Sequence, residues 1–212
     1  SLDSLDNDVF YKMAGGRGSV QEVLDGIEAA EAAGFEQIKI NTVVQRNIND
    51  HTIIDLVKYF RETGHTVRLI EFMDVGNVNN WDRELVVPSA ELLKTIHDRW
   101  PLRPVAKQPL SETARRYEFT DGMGEIGFIS SITEPFCGDC SRARITAEGL
   151  FYSCLFSAKG TVLRDKIRAG ADEDELVGEI RALWQKRADR YSELRHHLPQ
   201  RQPHIEMYRM GG

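Results

Sequence analysis

A chain of 212 residues with 41% hydrophobic and 28% charged residues has enough apolar material for one substantial core or two modest ones, and no apolar run approaches a membrane span or a signal segment. The formal charge of −6 excludes a general attraction to nucleic acid, so any polyanion site has to be a local gathering of Arg and Lys. An odd number of cysteines, three, argues against a disulfide framework and for a cytoplasmic protein whose thiols either hold metal or lie buried and inert.

In chain order, Ser1-Leu2-Asp3 reads as the end of a strand, as if the first residues belonged to the middle of a domain. A short apolar helix follows around Val9 to Met13, then the turn Gly15-Gly16-Arg17-Gly18. Ser19 with Glu22 forms a capping-box pattern, and Val20, Val23, Leu24, Ile27 and Ala30 recur at helical spacing until Gly34 ends the run. Gln37 to Val44 reads as a strand, Asn49 or Asp50 as the cap of a helix through Phe60, and Thr66 to Phe72 as the next strand. Helices and strands alternating at this spacing predict βα units around a parallel sheet, where ligands meet the carboxyl ends of the strands.

Polar residues on those strands are therefore candidates. Gln37, Lys39 and Asn41 share one face because strand side chains alternate. Lys39 reads either as a surface lysine or as one aimed at an anion or acting as a Schiff-base amine. Arg68 and Glu71 raise the same choice on the next strand. Arg68 and Met73 fall on opposite faces of an unbroken strand, so both face one site only if the strand ends or bulges between them.

Beyond Gly76 the pattern changes. Pro88-Ser89 opens a helix through Trp100, and the proline-spaced stretch from Pro101 to Pro109 reads as a connection. Arg116 to Phe119 and Glu125 to Ser130 predict a hairpin around Asp121-Gly122-Met123-Gly124. A second hairpin, Arg144 to Thr146 with Leu150 to Cys154, turns at Ala147-Glu148-Gly149. Amphipathic segments follow at Val162 to Ala169 and Asp174 to Tyr191, then a polar tail. The string Gly122-x-Gly124-x-x-Gly127 is no dinucleotide fingerprint, because strand rather than helix follows it. Gly15 to Gly18 lacks the ending of a P-loop, and His196-His197 lies in a polar stretch that reads as solvated.

All three cysteines lie in Cys137-x2-Cys140-x13-Cys154, with Arg142 and Arg144 directly after the second. The hairpin returns Cys154 towards Cys137 and Cys140, and three soft thiolates suit zinc or an iron–sulfur cluster. No fourth cysteine or nearby histidine completes a zinc tetrahedron, and a cubane held by three thiolates leaves one iron open to substrate. On a strand, Arg142 and Arg144 point to one side and can fork onto phosphate oxygens; otherwise they line an exposed salt-bridged face.

The stretch from Gly127-Phe128-Ile129-Ser130 through Phe136-Cys137-x2-Cys140-x-Arg142-x-Arg144, Thr146 and Cys154-Leu155-Phe156 resembles the C-terminal cluster region of the molybdenum cofactor biosynthesis protein A family, radical SAM enzymes that cyclise GTP. Ser1-Leu2-Asp3, Lys39-Ile40-Asn41, Arg68, Glu71-Phe72-Met73-Asp74 and the closing Gly211-Gly212 match the family's patterns in the same order. The resemblance implies an α/β fold, the C-terminal part of an incomplete (βα)6 TIM-like radical SAM barrel over residues 1–100, followed by a smaller α+β cluster-binding region over 101–212. It implies that Cys137, Cys140 and Cys154 bind a [4Fe-4S] cluster whose open iron meets the guanine of GTP. Arg142, the backbone at Ala143, Arg144 and Lys39 are implied to hold GTP, and Ser1 and Met73 to lie along the S-adenosylmethionine site with Arg68 near both ligands. Chain ends are commonly flexible, but in this family the Gly-Gly tail, here Gly211 and Gly212, enters the active site and supports catalysis.

The family's other cluster sits in a C-x3-C-x2-C loop, for which this chain has no cysteines. The expectations are that the sequence is a fragment beginning partway through the barrel, that alone it does not turn over GTP, and that exposed edges favour homodimerisation or aggregation. The full enzyme is expected to convert GTP to 3',8-cyclo-7,8-dihydro-GTP, upstream of the enzyme forming cyclic pyranopterin phosphate, with no nucleic-acid or membrane partner. A zinc- or nucleotide-binding module without catalysis, and an aldolase-like enzyme using Lys39, are the competing readings.

Overall fold

A computed structural model describes residues 1–106, 112–197 and 205–210. The chain divides into two compact units, one made of Ser1–Met73 and Asp82–Pro135, the other of Asp74–Trp81 and the described residues of Phe136–Gly212. Part of the proline-spaced connection, residues 107–111, and the terminal Gly211 and Gly212 lie outside the described residues.

In the first unit, helices α1 (Asn7–Met13) and α2 (Val20–Ala32) precede strand β1 (Lys39–Val44). Asp6 caps α1 by accepting from the Asp8 and Val9 amides, and Ser19 and Glu22 close the capping box expected for α2. Helix α3 (Ile53–Phe60), strand β2 (Thr66–Glu71), helix α4 (Ser89–Arg99) and strands β3 (Leu102–Pro104), β4 (Arg115–Phe119) and β5 (Glu125–Ile129) complete it. The five-stranded sheet runs β1-β2-β5-β4-β3. Strand β2 pairs in parallel with both β1 and β5, whereas β4 is antiparallel to β5 and β3, so the sheet is mixed.

Asn49 stands at the N-cap position of a short 3-10 turn, but its side chain makes no capping hydrogen bond. Its fully buried side-chain amide donates to the Asp3 and Val43 carbonyls at 2.7 and 2.9 Å, and its oxygen accepts the Gln45 amide at 2.8 Å. The turn, Asp50–Thr52, then leads into α3. A buried amide with unpaired backbone groups in reach is worth more there than at an exposed cap.

The core gathers Leu56, Val57 and Phe60 of α3, Val67 and Leu69 of β2, Leu92 and Ile96 of α4, and Ile126 and Phe128 of β5. Polar groups are satisfied within it. Glu71, 1% exposed at the end of β2, accepts from the amides of Ser89, Ile132 and Thr133 at 2.9, 2.8 and 2.9 Å and from the Thr133 hydroxyl at 2.5 Å. This carboxylate ties α4 and the segment after β5 to β2, which answers the choice left open for Glu71 in favour of structure. Arg61 is held between the rings of Trp100 and Phe119, its guanidinium carbon 4.9 Å from each centroid, and pairs with Asp121.

The second unit is built on a three-stranded antiparallel sheet, β6 (Arg144–Ile145), β7 (Leu150–Tyr152) and β8 (Thr161–Val162). Gly149 makes the turn between β6 and β7 at φ +77°, where a Cβ would stand 2.6 Å from that of Arg164. Helices α5 (Arg164–Arg168), α6 (Glu173–Gln185) and α7 (Tyr191–Leu194) follow. Asp74, 2% exposed, accepts from the Tyr191 hydroxyl at 2.7 Å and from Arg195 Nε at 3.0 Å. Glu206 accepts the backbone and side-chain N–H of Asn77 at 2.8 and 3.0 Å, against Gly76.

Candidate functional site

In the first unit, the Ser1-Leu2-Asp3 segment lies along β1, with the Leu2 amide donating to the Asn41 carbonyl at 3.0 Å and the Thr42 hydroxyl to the Leu2 carbonyl at 2.7 Å. Ser1 is exposed at its start and Lys39 is exposed at the start of β1. Asn41 and Arg68 face each other across the β1–β2 ladder, and Arg68 Nε donates to Asn41 Oδ1 at 2.8 Å. Partial burial lowers the pKa of the Arg68 guanidinium, and the Glu112 carboxylate opposes that. Gly127 on β5 leaves room for it, since a Cβ there would stand 3.2 Å from Arg68 Cγ. Strand β2 ends at Glu71, before Met73, which is the interruption required if Arg68 and Met73 are not to face opposite sides.

The second unit carries Cys137, Cys140 and Cys154, each a free, half-buried thiol. Cys137 and Cys140 flank a turn in which the Cys140 amide points at the Cys137 carbonyl at 3.4 Å. Cys154 follows β7, and the Phe156 amide donates to its sulfur at 3.5 Å. Burial pushes the Cys140 thiol up, but the Arg142 amide and the guanidiniums of Arg142 and Arg187 outweigh it, and the net shift is down. Cys154 is shifted up, first by burial and further by negative charge at Asp189 and Cys137, against the Phe156 amide and Arg187. Among the described residues, no three His, Cys, Asp or Glu side chains stand close enough together to hold a metal ion as placed. The donor set itself fits one: three half-buried thiols, two of them receiving N–H groups at sulfur, with positive charge beside Cys140.

The two arginines depart from the expected strand alternation. Strand β6 begins only at Arg144, so Arg142 and Ala143 lie ahead of it in exposed, irregular chain. The Arg142 guanidinium stacks 5.1 Å from the centre of the Phe136 ring. Burial lowers the pKa of Arg144, and repulsion from Arg142 lowers it further. Arg187 went unnoticed in the sequence, although it stacks 4.7 Å from the Trp184 ring and donates to the Cys140 carbonyl. The signal available was Arg187-Ala188-Asp189-Arg190, whose alternating charges break the helical period that the amphipathic segment carried up to Gln185.

The chain is a mixed α/β protein whose second unit carries three free thiols, with the guanidiniums of Arg142 and Arg187 at Cys140. Residues 65–193 match the family model Molybdenum Cofactor Synthesis C, and the chain belongs to that family. It is 49% identical over 212 residues to a GTP 3',8-cyclase of Xanthomonas campestris pv. campestris (strain B100), covering 100% of this chain and 62% of that protein. A GTP 3',8-cyclase of Synechococcus sp. (strain WH7803) is 45% identical over 223 residues, covering 100% and 63%. One of Acidothermus cellulolyticus is 43% identical over 199 residues, covering 92% and 55%. The chain thus spans less than two thirds of the length of these relatives. Among the described residues, no helix is long and apolar enough to cross a membrane.

Proposed function

We propose that this chain is the cluster- and GTP-binding portion of a GTP 3',8-cyclase, the radical SAM enzyme that opens molybdenum cofactor biosynthesis by converting GTP to 3',8-cyclo-7,8-dihydro-GTP. The observation that carries the reading is the family match over residues 65–193, a stretch that holds Cys137, Cys140 and Cys154 together with Arg142 and Arg144. Cys137, Cys140 and Cys154 would hold a [4Fe-4S] cluster. When bound, that cluster would offer an iron free of protein ligands to the guanine base.

Arg142 and Arg144, with the backbone at Ala143, bind the triphosphate, whose charge needs paired guanidiniums in a protein of net negative charge. Lys39 contacts the nucleotide, Ser1 and Met73 line S-adenosylmethionine, and Arg68, held by Asn41, orients the reactants. Gly211 and Gly212 support catalysis from the C-terminal end. Residues 1–100 belong to the C-terminal part of an incomplete (βα)6 barrel, with the cluster-binding region at 101–212. The protein works in the cytoplasm as a homodimer and passes its product to the enzyme forming cyclic pyranopterin phosphate.

Three cysteines cannot hold two cubane clusters, so the 212 residues by themselves bind without turnover. Anaerobic reconstitution with iron and sulfide, followed by metal analysis and GTP titration, tests the reading. About four irons per chain and GTP binding that weakens roughly tenfold or more in Arg144→Ala support it, that being the loss of a charge-assisted fork. Uptake of zinc alone, with GTP binding indifferent to Arg144, overturns it in favour of a zinc module.

A further inference from the structure

The three cysteines sit on two limbs of chain, Cys137 to Cys140 ahead of the paired strands β6 and β7, and Ser153 to Phe156 after them. The short stretch after α6 touches both. Arg187 Nη1 donates to the Cys140 carbonyl, and the Gly138 amide donates to Glu193 Oε1 at 3.2 Å. On the other limb the Ser153 hydroxyl donates to Asp189 Oδ2 at 2.5 Å, and Phe156 stacks on Tyr191 with centroids 4.5 Å apart at 19°. Arg187 and Asp189 face each other at 3.9 Å, so the two limbs are joined through an ion pair. These residues are held in turn: Arg187 is 11% exposed and lies on Trp184, Arg190 pairs with Glu193, and the Tyr191 hydroxyl is held by Asp74.

Four contacts from one segment, two to each cysteine-bearing limb, are more than packing requires. We infer that residues 187–193 are a brace for the three-thiol centre, in which Arg187, Asp189 and Glu193 are positioning residues that set the separation of the Cys137–Cys140 limb from Cys154, with Arg187 also supplying positive charge next to the thiolates. The inference rests on the reading that these cysteines hold a metal centre. Groups that orient metal ligands from behind govern how tightly the metal is kept and at what potential it is reduced.

The test uses the 212-residue chain with Arg187→Met, Arg187→Lys, Asp189→Asn and Glu193→Gln, each checked for unchanged far-ultraviolet dichroism. In the apo chain, amide hydrogen exchange is followed in peptides covering 136–141 and 151–157. Asp189→Asn and Glu193→Gln are expected to speed exchange there roughly tenfold, while exchange in the first unit stays as it was. After anaerobic reconstitution, Arg187→Met and Asp189→Asn are expected to lose iron to a chelator roughly 10- to 100-fold faster than the parent, the range known for such supporting groups, and Arg187→Lys to recover part of the loss. Asp189→Asn is nearly isosteric and carries the test if Arg187→Met fails to fold. Parental exchange rates in both limbs overturn the brace. A parent chain that takes up no iron overturns the proposed function instead, and the brace then stands or falls on the exchange rates alone.

Discussion

Removing the Glu71 carboxylate is expected to cost more than any other single change at a charged residue of the first unit. The side chain is 1% exposed and takes three backbone amides and one hydroxyl, which come from the start of α4 and from the segment after β5. In Glu71→Ala those three amides lose their acceptor where water has poor access, at about 1–3 kcal/mol each before relaxation. Relaxation and entry of a water molecule recover part of this, which leaves about 3–5 kcal/mol, the range found when a buried charged network is broken. For a protein of this length that corresponds to a fall of roughly 6–20 °C in Tm. Glu71→Gln keeps one oxygen but turns an NH2 group towards either the Ser89 amide or the Ile132 and Thr133 amides, so it is expected to lose about half as much. Thermal and urea denaturation of the 212-residue chain, followed by far-ultraviolet dichroism, measure both variants. If Glu71→Gln melts with the parent, the carboxylate is not the acceptor that joins these segments, and the argument fails.

Gly76→Ala is expected to loosen residues 205–210, because its Cβ would fall 2.3 Å from Glu206 Oε2 at a backbone φ of +67°; hydrogen exchange in the peptide containing Glu206 reports it. Asp74→Asn weakens the contact with Arg195 while keeping an acceptor for Tyr191, at about 1–3 kcal/mol, and faster exchange across 191–195 is the expected reading. Asp3 tests linkage. Burial, opposed by the Val43 amide and the amino terminus, raises its pKa above 3.8, so its contribution to stability is full below that value and is lost as pH rises through the raised folded value. Asp3→Asn keeps an acceptor for the Val43 amide at 2.8 Å and is expected to lack that fall; urea midpoints from mildly acidic to neutral pH with equal slopes for both proteins would refute it.

What could be read from the sequence follows from how local each signal is. The Ser19–Glu22 capping box, the β4–β5 hairpin at Gly122 and the β6–β7 turn at Gly149 each depend on residues a few positions apart, and each forms where the pattern places it. The sequence offers Asn49 or Asp50 as the cap, and Asn49 takes that position, but its side chain bridges Asp3 and Val43 instead, a use that only the position of Asp3 beside it decides. Strands β3 and β8 are three and two residues long, too short for an alternation to register. The three cysteines announced themselves by spacing. Their supports Arg187, Asp189 and Glu193 did not, since a contact spanning 36 to 55 residues leaves no period in the sequence. Longer separations still, 117 and 121 residues, hide the use of Asp74, on which Tyr191 and Arg195 close.

Asp74 also has a history in time. The unit it belongs to is written in two pieces, with residues 82–135 of the other unit between them, and its partner Arg195 lies 121 residues further on. At a synthesis rate of about 5–20 residues per second, roughly 6–24 s pass before Arg195 is even made. During that interval the first unit can fold, whereas Asp74–Trp81 waits as a loose loop on the nascent chain, kept in water by its own carboxylate. The piece that seals the thiol-bearing unit therefore leaves the ribosome only after residues 82–135 of the first unit have done so. A chain cut short before Tyr191 would deliver a finished first unit with a permanently open loop, a form that quality-control proteases are suited to recognise.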